Sequence, residues 1–436
     1  MYYNERIEDS VINLASPLRN PRVIFNNSVF LKNKINVQTM LTAFGGMAVM
    51  CCLAACGPAI NDLGSSAAIT SGVNTATGHF KDSAVQGLHY ESGLTDGTTD
   101  KNGEYEYEPT QDIVFSIGGV TLPTITDTKF LANPVGMVSG GNTANTEVLN
   151  IARFLLMLDN NGNPDDGIVI SNAVQNIADQ WSQVDFTTAD LPAELADIIS
   201  DAASVDGTAH TLPDAATARS HLESTLQCVY SGVFSGRLAG GDNGRYALFI
   251  DVKTGSVSGK VLSVINTVTD KRDLTGTSSI DLAQTQVGLT ATDSAGVGYI
   301  LRYTTLNQID GDWTPVSGQP GTMSGGRVAN RPDAIYRFSG TFEGDDDGVF
   351  GVDVPIDGAM IGQMYGLSSD FTQTINASVN DDIFITMVGE DGSTTFTGTV
   401  DFDAGTISGS WTNQFADPNN PNFGGTFTGT GCRLLP

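Results

Sequence analysis

The residues best placed to do chemistry lie in Asp159-Asn-Asn-Gly-Asn-Pro-Asp-Asp-Gly167. Asp159, Asn161, Asn163 and Asp165 alternate there, and a hard cation such as Ca2+ takes its ligands from oxygens of this kind. Two departures count against a cation. Pro164 stands where calcium loops place glycine, and Ile170 where they close with glutamate. The competing reading, which these departures favour, is a solvated Asx/Gly turn that ends a helix. A second acidic run, Asp345-Asp346-Asp347-Gly348, reads first as a hairpin turn. The histidines are His79, His89, His210 and His221, with no His-x-x-x-His spacing, which argues against zinc. Gly-x-Ser-x-Gly does not occur, and the Gly-x-x-Ser-Gly runs at 255–259, 321–325 and 405–409 suit strands and turns. Trp181, Trp313 and Trp411 could stack on sugars. The last two occupy repeat positions, which favours core packing.

Elements must position these residues. Val148, Ile151, Leu155 and Leu158 keep helical spacing ahead of Asp159. Leu149, Phe154 and Leu156 make that helix apolar nearly all round, so it should be buried. Further helices are expected at 171–184, 190–203 and 213–227. Pro192 and Pro213 lie near the starts of the last two, with Asp190 and the Thr211 region as caps. Residues 76–125 read as strands. Thr99-Asp-Lys-Asn-Gly-Glu-Tyr-Glu-Tyr107 is a turn followed by alternation that places Tyr105 and Tyr107 on one face.

The remainder is duplicated. Phe234-Ser-Gly and Phe338-Ser-Gly align, as do Gly240 with Gly344 and Asp242 with Asp346. Gly321-Thr-Met-Ser-Gly matches Gly425-Thr-Phe-Thr-Gly at the same spacing. Each copy holds about eight short strands separated by turns, so each should close as a small barrel or sandwich.

The chain has 436 residues, 40% hydrophobic and 16% charged, with 50 glycines. This suits two to four domains of short strands and turns. The formal charge is −28, which excludes nucleic-acid binding through the general field. Residues 1–56 hold five basic and three acidic side chains; the rest holds 16 and 46, net −30.

An apolar run from Met40 follows Lys32 and Lys34 and ends in Leu53-Ala-Ala-Cys56-Gly57. It resembles the bacterial lipoprotein signal, which implies cleavage before Cys56 and acylation, palmitate included, of that cysteine. Gly57 in place of aspartate implies sorting to the outer membrane. The long polar stretch before the run reads as an over-extended gene start. Cys51 and Cys52 leave with the signal, so Cys228 and Cys432 remain. An even pair in an oxidising compartment reads as one disulfide.

The hairpin at 99–107 resembles the small β-sandwich modules of carboxypeptidase-regulatory type. Together with Phe115-Ser-Ile-Gly, Asn150-Ile-Ala-Arg-Phe-Leu-Leu-Met-Leu-Asp, His221-Leu-Glu-Ser-Thr-Leu-Gln-Cys and the Ser/Gly-rich strands, the order resembles a group of lipid-anchored or secreted proteins of Gram-negative, often marine, bacteria. That group brings no established activity.

The expected fold is mainly β with an α-helical middle. It comprises a signal region (1–56), a tether (57–75), a small β-sandwich-like module (76–140), a helical segment (141–228) and two tandem antiparallel β units (229–330 and 331–436). The expected function is a non-enzymatic envelope lipoprotein, held to the membrane through the lipid on Cys56 and presenting its β domains for adhesion or for binding an extracellular or periplasmic ligand. The alternatives are an uptake-type barrel that binds haem or an iron carrier, and a secreted hydrolase.

Overall fold

In the computed structural model, residues 74–434 are described, apart from 128, 266, 281–286, 332–333, 356–359, 380–383 and 415–422. The expected lipidation site Cys56, the apolar run and most of the tether lie outside the described residues. The fold is mainly β, with small N-terminal sheets, a helical middle and two tandem closed barrels.

The N-terminal strands are β1 (Ala76–Phe80), β2 (Val85–Gln86), β3 (His89–Ser92), β4 (Thr95–Thr98), β5 (Glu104–Tyr107), β6 (Val114–Ile117), β7 (Val120–Thr121), β8 (Leu131–Ala132) and β9 (Ile168–Val169). They form sheets of order β5-β1-β8, β4-β3-β6-β7 and β2-β9. The turn at 100–103 does not close a hairpin, as the sequence suggested: β4 pairs with β3, whereas β5 pairs with β1. Tyr105 explains the crossing. Its ring is buried, and its hydroxyl donates to Lys129 O at 2.6 Å and accepts from Ala132 N at 3.2 Å, which ties β5 to the β1/β8 side. Gly103 makes the turn possible at φ +73°, because a Cβ there would lie 2.5 Å from Phe80 O.

The helices are α1 (Pro134–Met137), α2 (Thr146–Met157), α3 (Asn172–Ala178), α4 (Leu191–Glu194), α5 (Ala196–Asp206) and α6 (Ala215–Tyr230). Helix α2 is buried as its composition requires, and Asn145 caps it by accepting from the amides of Glu147 and Val148. Helix α3 is shorter than its apolar pattern suggests. The β6–β7 turn presses on its last residue: Gly119 N donates to Ala178 O at 2.9 Å, and a Cβ at Gly118 would fall 2.1 Å from the Ala178 carbonyl carbon. The stretch expected at 190–203 divides into α4 and α5 at Leu195. Asp214, not the Thr211 region, caps α6, accepting from Thr217 N at 2.7 Å.

The first barrel comprises β10 (Gly232–Ala239), β11 (Arg245–Ile250), β12 (Ser256–Ile265), β13 (Val268–Ser278), β14 (Val287–Asp293), β15 (Gly298–Thr305), β16 (Gln308–Thr314) and β17 (Gly321–Arg327). The second comprises β18 (Ala334–Gly344), β19 (Gly348–Pro355), β20 (Ile361–Gly366), β21 (Phe371–Val379), β22 (Phe384–Gly389), β23 (Thr394–Asp401), β24 (Thr406–Asn413) and β25 (Gly424–Arg433). Each is an antiparallel meander whose first strand closes on its last.

The duplication holds down to single hydrogen bonds. Trp313 Nε1 donates to Ala239 O, and Trp411 Nε1 donates to Glu343 O, both at 3.2 Å. At the closing seam Gly236 faces Gly325 and Gly340 faces Gly429. A Cβ at Gly236 or Gly340 would sit 2.0 Å from a carbonyl oxygen of the opposite strand, so the seam requires glycine.

Side chains fill both barrels. Phe234, Tyr246, Tyr303 and Trp313 belong to one core that continues into the helices and N-terminal sheets. Phe338, Phe350, Phe396 and Trp411 belong to a separate core. The barrels meet through outer faces, where Val233 and Phe249 join a small cluster with Val349, Tyr365 and Leu367. The Cys228–Cys432 disulfide is present and ties α6 to β25.

Candidate functional site

The tight turn after β1 carries Lys81, Asp82 and Ser83 in succession. Lys81 bridges to Ala84 across the turn, and Ser83 sits at φ +62°, a conformation that side chains rarely adopt. Helix α6 supplies the opposite wall. His221, Thr225 and Cys228 fall at helical spacing and line one cavity of about 140 Å³, with Ser83, Asp165 and Arg433 also in its lining. Ser83 docks the turn onto this wall. Its amide donates to Thr225 Oγ1 at 3.4 Å, and its hydroxyl donates to Pro164 O at 2.7 Å.

The structure thus brings a serine, a histidine and an aspartate together, which the sequence did not reveal. Ser83 Oγ lies 3.1 Å from His221 Nε2, and Asp82 Oδ1 lies 3.8 Å from the same nitrogen. This arrangement is unsuited to nucleophilic catalysis. A relay needs serine and carboxylate on opposite ring nitrogens, whereas two adjacent residues of one turn both meet Nε2. The Ser83 hydroxyl donates to Pro164 O, so its proton points away from His221 in this arrangement. Asp82 is fully buried, and neither carboxylate oxygen has a hydrogen-bond partner among the described residues. Burial pushes its carboxyl up to about 6, against a smaller downward pull from His221.

Lys81 opens on a second cavity of about 230 Å³, on whose wall stand Asn102, Glu104, Arg327, Arg331 and Arg337. Arg327 closes the C-terminal end of α6: its guanidinium donates to Val229 O at 3.0 Å and to Ser231 O, while Nε reaches Leu306 O at 3.3 Å. The same group lies 4.6 Å over the Phe234 ring. Burial, and Arg337 nearby, pull Arg327 down to about 9; burial pulls Lys81 down to about 8.

The expected calcium residues form a turn that ties itself together. Asp159 Oδ2 accepts from Asn163 N at 2.8 Å and Oδ1 from Val169 N at 2.9 Å. The Asn161 amide nitrogen points to Asp166 at 3.2 Å, and its oxygen accepts from Asn163 N at 2.7 Å. Pro164–Asp166 forms one 3-10 turn, and Asp165 borders the cavity beside His221. No group of three or more His, Cys, Asp or Glu suited to a metal occurs among the described residues. The acidic run at 345–347 is divided: Asp345 accepts from Gly424 N at 2.9 Å, Asp346 from Ser368 N at 3.1 Å, and Asp347 pairs with Lys271 of the other barrel. Trp181 is buried and donates to Asp201 at 3.2 Å; Trp313 and Trp411 are buried in the barrels.

The spacing of His221, Thr225 and Cys228 on one helix face was legible in the sequence. Ser83, which meets His221 and Thr225 from 138 and 142 residues away, was not. No family model and no curated protein matches this chain.

Proposed function

We propose that this is a non-enzymatic binding protein of the cell envelope, anchored through lipid on Cys56 at the outer membrane, with the two barrels as scaffold and a ligand held outside them. The observation that carries this reading is where space lies. Both barrels are packed with side chains such as Phe234, Trp313, Phe396 and Trp411. The cavities at Ser83–His221 and at Lys81–Arg327 open instead where the N-terminal turn, α6 and the barrel ends meet. An uptake barrel would need its room inside, as ligand-holding barrels have. A hydrolase would need the His221 imidazole to accept the Ser83 proton, which the hydrogen bond to Pro164 O opposes. Fold alone assigns no activity, so the reading rests on these sites.

Two measurements test it. Cys56→Ser should move the protein from the membrane fraction to the soluble one; continued membrane fractionation of the variant would overturn the anchor. The purified protein should leave chromogenic esters and glycosides unhydrolysed. Turnover abolished by Ser83→Ala would overturn the non-enzymatic assignment.

A further inference from the structure

The cavity at Lys81 and Arg327 combines features that a structural role alone does not call for. After residue 56 the chain holds only 16 basic side chains against 46 acidic ones. Four of them, Lys81, Arg327, Arg331 and Arg337, line this one cavity. Two are buried cations whose hydrogen bonds go to neutral carbonyls. Lys81 Nζ donates to Asn102 O at 3.3 Å, and Arg327 donates to the carbonyls of Val229, Ser231 and Leu306. No carboxylate lies within ion-pair reach of either among the described residues. Glu104, the carboxylate in the lining, pairs with His79 at 3.3 Å, and Arg337 is held by Asp353 at 2.5 Å.

A buried charge is costly unless it is paired. Burial is the leading cause that depresses both: Arg337 adds to it at Arg327, with Tyr303 and Asp353 offsetting part, and the more distant Asp100 and Glu104 offset part of it at Lys81. Retaining such a cluster inside a strongly acidic protein makes sense if an anion completes it. The volume, about 230 Å³, equals roughly eight waters at their liquid share, enough for a small organic anion. Asn102 and Asn307 stand on the same wall.

We propose that this cavity binds a small free anion whose charge sits on carboxylate or phosphate oxygens, with Lys81 and Arg327 as the principal contacts. This names the ligand class for the binding protein proposed above and rests on that reading. Arg327 also caps α6, so its loss would disturb the fold. Lys81 is the diagnostic residue.

The test uses the full-length purified protein, titrated with sodium phosphate or sodium malonate against sodium chloride at matched ionic strength, and read by thermal melting and by calorimetry. Phosphate or malonate should raise the melting midpoint beyond the chloride control. Lys81→Met should melt at least as high as the wild type without anion, because a buried charge is removed, yet lose the anion-dependent rise. Lys271→Met, which removes the ion pair to Asp347 of the other barrel, should keep it. The proposal is overturned if neither anion exceeds chloride, or if Lys81→Met responds like the wild type. It is also overturned if only phosphatidylglycerol vesicles, and no free anion, engage Lys81, since the ligand is then a lipid headgroup. Membrane fractionation and hydrolysis assays are blind to these outcomes, so failure here leaves the anchor and the non-enzymatic assignment standing.

Discussion

At the scale of single residues, Asp82 shows how burial converts into pH dependence. Its carboxyl is raised from 3.8 to about 6, chiefly because burial disfavours the charged form. His221 stands 3.8 Å away, and Lys81 is the adjacent residue. A group whose folded value lies above its unfolded value stabilises the fold fully below the unfolded value. That contribution is lost as pH rises through the folded value. Asp82 therefore favours folding below about pH 4 and loses that contribution between pH 4 and 6. Asp82→Asn should be more stable than the wild type at pH 7, by up to about 3 kcal/mol for a shift of roughly two units. The gap should close at pH 4. Urea denaturation at the two pH values measures it, and equal differences at both would show that the carboxylate is neutralised in another way. Burial raises the Asp159 carboxyl as well, but its surroundings differ. It too is buried, but each of its oxygens accepts a backbone amide, which fixes the turn that ends α2.

At the scale of elements, α6 carries more connections than its modest amphipathicity suggests. One face packs its leucines, Leu222 and Leu226, into the core. The face bearing His221 and Thr225 receives the Ser83 turn. Its last turn is capped by Arg327 of β17, and Cys228 binds it to Cys432 of β25. The disulfide spans 204 residues of sequence. Chain-entropy arguments give about 5 kcal/mol for so long a loop, as an upper figure. The Cys228→Ser/Cys432→Ser double variant should unfold at a lower denaturant midpoint by a substantial part of that amount. An unchanged midpoint would mean that α6 and β25 are held together fully by packing. Tryptophan emission should stay native in the folded variant, because Trp313 and Trp411 are fixed within their own barrels.

At the scale of the whole molecule, the two barrels share a topology but not a dependence. The second barrel has a core of its own. The first shares its core with the helices, and Tyr230 of α6 packs at 5.0 Å from Tyr303 while accepting its hydroxyl proton at the backbone carbonyl. Residues 331–436 expressed alone should therefore fold, with a cooperative thermal transition. Residues 229–330 alone should not, and should need the chain from 74 onward. A cooperative transition from the isolated first barrel would refute this asymmetry.

What the sequence determined by itself is whatever repeats or alternates. The strand count per copy, the equivalence of Trp313 with Trp411, the buried α2 and the pairing of Cys228 with Cys432 all follow from periodicity, offset and parity. Those signals are local, or compare the chain with itself. The crossing at Gly103 between sheets, the early end of α3 and the shared core of the first barrel were decided only in three dimensions, because each depends on what a distant side chain or turn presses against. The same holds for the candidate site. Lys81, Asp82 and Ser83 form an unremarked stretch of sequence, and Arg327 ends a strand more than 240 residues later. Barrel closure and the docking of α6 set them on adjoining cavity walls, and contact between such remote positions leaves no periodic trace in a single chain.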